Sequence, residues 1–111
     1  MNLVTFADTP LLIGSEAADL LLRYAASLAN VGRADVVVLK ALGAQGESLD
    51  VTFLLDAGAV MLAQQSDSRL PEPDNSTAVV YMRDRMHALE QPLRVHQGEA
   101  QFDDVSRSLL D

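Results

Sequence analysis

Three residues have the side chains and the positions for acid–base chemistry. Asp8 and Asp56 each follow an apolar, strand-like run, at residues 3–6 and 49–55. His87 lies in a helix-like stretch, three residues after Asp84 and three before Glu90. Two carboxylates at one sheet edge can share a proton or hold a magnesium ion through oxygen ligands. That meeting requires the two strands to be parallel neighbours. A histidine on a helix can be oriented as a general base by an acid one turn away. Asp56, Asp8 and His87 are therefore the candidate catalytic residues. Each also has a plainer reading. Acids end strands because they do not enter a core, and His87 with Asp84 is ordinary surface charge.

The other reactive side chains form no pattern. The chain has no cysteine, which removes thiolate catalysis, a disulfide framework and cysteine-based metal sites. His87 and His96 are too far apart for one helical face and match no zinc spacing. No serine sits in a G-x-S-x-G elbow. Gly14-Ser15 opens a helix after an apolar run, yet it lacks the further glycines and the lysine of a phosphate-binding loop. Arg83 and Arg85, two apart, point to different helical faces, so an anion site needs Arg94 or Arg69 as well. No metal site and no cofactor is expected.

The elements that would position these residues follow from periodicity. Residues 3–6 predict a first strand, broken by Asp8, Thr9 and Pro10. Residues 11–13 continue the sheet or cover its end. Ala17, Leu21, Tyr24, Leu28 and Val31 recur at three- and four-residue steps and predict a helix capped by Ser15 and stopped by Asn30 and Gly32. Residues 35–42, with three consecutive valines, predict a strand covered on both faces. A glycine-bearing link of hairpin length leads to an antiparallel return at 49–55. Residues 59–65 read as a short helix or as a third antiparallel strand, and Gly58 at the turn favours the strand. Residues 66–76, with Pro71 and Pro73, are a surface loop that Leu70 pins to the core. Residues 77–90 predict a second helix with Val79, Met82, Met86 and Leu89 along one stripe. Residues 98–111 carry Phe102, Val105 and Leu109 at helical spacing, which predicts a detachable tail that either docks as a final helix or extends to a partner.

The chain of 111 residues is one domain, residues 1–111, with 49% apolar residues to build a core. Its formal net charge of −8, with Lys40 as its single lysine, opposes nucleic-acid binding. No apolar run approaches membrane-spanning length, and residues 1–10 do not read as a signal peptide. The expected location is the cytoplasm. The expected fold is α+β: a small, mainly antiparallel sheet with two or three helices packed on one face. More double-faced apolar strand is present than two helices bury, which predicts a homodimer. Met61, Met82, Met86 and Phe102 are the candidate interface residues, since methionine adapts to irregular surfaces. The leading functional expectation is a small, acidic, non-catalytic interaction or regulatory protein, with a protein partner beside its own second copy. The alternative is a small enzyme or small-molecule-binding subunit that uses the strand-end carboxylates.

Overall fold

The structure is a computed structural model, and it describes residues 1–91. Seven elements follow in order: β1 (Asn2–Phe6), β2 (Thr9–Ile13), α1 (Ser15–Asn30), β3 (Asp35–Leu42), β4 (Ser48–Leu55), β5 (Met61–Gln65) and α2 (Ser76–Glu90). The fold is α+β. One five-stranded sheet, antiparallel throughout, has the order β4-β3-β2-β1-β5. The expected tail helix at 98–111, Phe102, Arg94 and His96 lie outside the described residues.

Turn chemistry sets most of these boundaries. β1 and β2 are joined by Ala7-Asp8 alone, with Ala7 at φ 55°. A positive φ at the first central residue suits a two-residue hairpin turn. Pro10 does not break the chain here, against expectation; it lies inside β2, opposite Thr5. Phe6 and Thr9 close the hairpin, so the nitrogen of Pro10 faces away from β1. On that side β2 pairs with β3 only at Leu12 and Leu42, so no ladder bond is lost. Helix α1 ends in a Schellman motif. Gly32, at φ 65°, donates to the Ala29 carbonyl, and Arg33 donates to Leu28. The β3–β4 link closes with Gly46 at φ 78° donating to the Gly43 carbonyl, a turn with its last residue in the left-handed region.

The core lies between one face of the sheet and the two helices. Val4, Ile13, Leu39, Phe53 and Leu55 meet Leu21, Tyr24 and Leu28 of α1 and Val79, Met82 and Met86 of α2. Phe6 and Phe53 stand edge to face with ring centroids 5.3 Å apart. They come from β1 and β4, which are not neighbours, so the sheet curls to bring its two halves together.

Several expectations change at this level. Strand β3 is covered on one face only: Val37, Leu39 and Ala41 are buried, while Val36 and Val38 are 53% and 55% exposed. Continuous β-branched sequence therefore did not mean two covered faces. Both helices cover the inner face, and no described element covers the outer one. Residues 61–65 form a strand, yet it pairs with β1 and not with β4. Val31 is exposed past the end of α1, and Leu70 is exposed, so neither joins the core. Met82 and Met86 are buried inside the subunit, and Met61 is half-buried. The first two thus have no surface to offer a partner, because the apolar stripe of α2 faces α1 and the sheet.

Candidate functional site

The strand-end carboxylates are held apart by topology. Asp8 sits exposed in the β1–β2 turn. Asp56 follows β4, and its Oδ1 accepts the Gly58 N–H at 2.8 Å, a local turn bond. β1 and β4 are not sheet neighbours, and no strands among the described residues are parallel, so the expected shared edge does not form. His87 is exposed near the end of α2, with its Nε2 2.9 Å from Nε2 of Gln91. Arg83 lies 2.6 Å from Oε2 of Glu16, an exposed ion pair that ties α2 to α1. Arg85 stands beside Tyr24 and Asp35 instead of pairing with Arg83. Among the described residues, no cluster of three histidine or acidic side chains is arranged to hold a metal ion.

The structure draws attention elsewhere, to the edge of β3 that faces away from β4. Gly43 and Glu47 close the hairpin through the Gly43 N–H, 2.9 Å from the Glu47 carbonyl. Backbone groups alternate along a strand. Residues 41, 39, 37 and 35 therefore bond β4, and Leu42, Lys40, Val38 and Val36 turn their N–H and C=O groups the other way. Leu42 meets β2 there, and then the two strands part. Lys40 finds a substitute. The Asn75 side chain accepts its N–H through Oδ1 at 2.7 Å and donates from Nδ2 to its carbonyl at 2.9 Å. One carboxamide thus makes both bonds that a neighbouring strand would make. At the far end the N–H of Val36 is taken by the Asp35 carboxylate at 2.7 Å. Between these two positions, the N–H and C=O of Val38 and the C=O of Val36 have no partner among the described residues.

An open groove of about 580 Å³ runs beside this edge. Val36, Val38 and Lys40 form one wall, and the start of α2, from Asp74 to Ala78 with Tyr81, forms the other. The local fold explains the gap. Asn75 is the residue before α2 and makes no capping bond to the helix, because its side chain is spent on Lys40. Asp74 instead accepts the Ser76 N–H at 3.0 Å. That bond and the Ser76 hydroxyl hold the Asp74 carboxyl below the ordinary carboxylate range. Ser15 likewise does not cap α1; Gly14 holds that position, and the Ser15 hydroxyl accepts from the N-terminal ammonium at 3.0 Å.

One end of the groove is closed by a cluster around Asp35. The Tyr24 hydroxyl donates to Oδ2 of Asp35, and the Tyr81 hydroxyl donates to the same oxygen at 2.5 Å. The two rings meet edge to face, 6.4 Å between centroids. Burial pushes the Asp35 carboxyl upward. The two phenols, the Val36 N–H and the Arg85 charge outweigh it and set the pKa below its usual value. Burial, followed by the Asp35 contact, pushes the Tyr24 phenol well above its own. The cluster joins α1, α2 and the start of β3 at one point. Its members are 11 and 46 residues from Asp35 in the chain, so no local spacing announces it. Asn75 shows no motif either, since an asparagine just before a helix is ordinary.

The outer face of β3 and β4 adjoins the groove. Val36 lies directly opposite Leu54, with Val38 two residues further on, and all three are more than half exposed. Beyond them Lys40 and Asp50 pair at 3.1 Å. Comparison with protein families, with curated proteins and with solved structures finds no match for this chain.

Proposed function

We propose that the chain is a non-catalytic interaction protein, regulatory in role, that docks another polypeptide on the outer side of β3 and β4 and works as a homo-oligomer. One observation carries this reading: Val36, Val38 and Leu54 form a contiguous aliphatic patch on a face where an uncovered sheet normally alternates to polar residues. Contiguous exposed apolar surface beside polar rims marks interaction sites. The alternative reading, a small enzyme, requires a groove that gathers the candidate acid–base residues. None of the four main grooves among the described residues is lined by two of Asp8, Asp56 and His87. No helix among the described residues is long and apolar enough to cross a membrane. A cysteine-free acidic chain suits the reducing cytoplasm, where we place its action.

The test is native mass spectrometry of the protein purified gently from its own cells, beside a Leu54→Asp variant. The expected result is a second copy or another polypeptide retained by the natural chain and lost from the variant. A bare monomer that retains a small molecule would overturn the reading and return attention to Asp8, Asp56 and His87.

A further inference from the structure

We propose that the edge of β3 between Val36 and Lys40, unpaired among the described residues, accepts an extended, basic segment of a partner protein as an added strand. The inference rests on the β3–β4 side being the docking side, and it names the mode of recognition and the chemistry of the partner. The first support is the set of atoms on offer. The N–H and C=O of Val38 and the C=O of Val36 are one donor and two acceptors in strand geometry. An incoming strand pairs with all three in either direction. The second support is Asn75. Its carboxamide already reads this edge as a peptide group would, at 2.7 and 2.9 Å, one in-phase position away. Amide chemistry therefore fits the edge where the chain supplies it, and at the next position no described residue does so. The third is room: the groove of about 580 Å³ lies in the range of ligand sites and is lined by backbone and by Val36, Val38, Ala78 and Tyr81.

Charge selects the occupant. Asp74 and Asp50 line the groove at the Asn75 end, while the Lys40 amine there is already taken by Asp50 at 3.1 Å. Asp74 meets no cation within ion-pair distance among the described residues. The whole chain, at −8, adds a field that draws cations and repels acidic segments. A second copy of this chain is the poorer fit, since β3 against β3 would bring the two sets of groove acids together.

The probe is a blocked seven-residue peptide alternating lysine and valine, titrated into the full chain and followed by amide NMR and calorimetry. Two comparators accompany it: the same sequence with alternate backbone nitrogens methylated, and one with glutamate in place of lysine. The Val38 amide should exchange freely in the unliganded protein, then shift and become protected on titration. Each comparator should bind at least about tenfold more weakly. A Val38 amide already protected in the free chain would overturn the proposal, because another segment or a second copy then holds the edge. Equal binding by the methylated peptide would overturn strand addition while leaving the outer face as a docking surface. Equal binding by the glutamate peptide would overturn the basic partner. No binding of the lysine peptide at about 1 mM, with Leu54→Asp still releasing a retained partner, would remove the edge alone and keep the functional reading.

Discussion

At the residue scale, two side chains carry consequences that outrun their size. Asn75 completes the β3 edge at Lys40 with two hydrogen bonds from a largely buried position. Asn75→Ala should cost about 1–3 kcal/mol, since it strands a backbone donor and acceptor beside the groove. Urea unfolding with an unchanged m-value checks this. Asp35 carries a pH signature. Its folded pKa lies below the unfolded value, so it stabilises the fold above about pH 4 and that contribution is lost as pH falls through the folded value. Asp35→Asn should flatten the acid limb of the stability profile below about pH 4. Tyr24 has the opposite sign. Its phenol is held neutral, so stability is full below about pH 10 and declines as the unfolded chain ionises above it. Tyr24→Phe should abolish that alkaline loss, at a cost near neutrality of about 1.5–3 kcal/mol for the bond to a charged partner.

At the scale of elements, β3 divides its roles by face. Val37, Leu39 and Ala41 hold the core, while Val36 and Val38 stand in solvent. Val36→Thr with Val38→Thr keeps the β-branched shape and should leave the thermal midpoint within a few degrees, with ΔΔG within about 1 kcal/mol. The same pair should release whatever docks on the outer face, read by co-purification. Met82→Ala is the contrasting case. Met82 is fully buried between α2 and the rest of the core, so the change should cost about 2–5 kcal/mol in chemical denaturation. The helix stripes were legible because burial there follows the 3.6-residue period, and the β3 span because a run of β-branched residues favours a strand; the alternate burial along β3 was not legible. Pro10 inside β2 was not, because its tolerance depends on which neighbour its nitrogen faces, and that is a matter of sheet order.

At the scale of the whole molecule, charge dominates. Four ion pairs are seen among the described residues. All four include at least one well-exposed partner, a setting in which such pairs contribute little. The excess of acids remains as self-repulsion. Stability should therefore rise modestly from low salt to about 0.15 M, where the Debye length is about 8 Å. Binding of a basic peptide should weaken over the same range. The opposed signs, read by thermal melts and calorimetry on one sample, separate the protein's own field from its use in recognition. The proposed homo-oligomer is tested at this scale too. Sedimentation across a concentration series should show association that Leu54→Asp reverses, and a monomer throughout would remove it.

The sequence alone determined the α+β class, the span of β3, the two helices and the acidic surface, because composition and short periods set these locally. It did not determine that β5 joins β1, that Asp8 and Asp56 follow strands that are not neighbours, or that Tyr24 and Tyr81 converge on Asp35. Those depend on strand order and on how far the sheet curls, which arise from packing between residues distant in the chain. The open edge at Val38 is the clearest case. Every residue of β3 reads as strand, but the parting of β2 after Leu42 and the reach of Asn75 decide which backbone groups have no partner among the described residues.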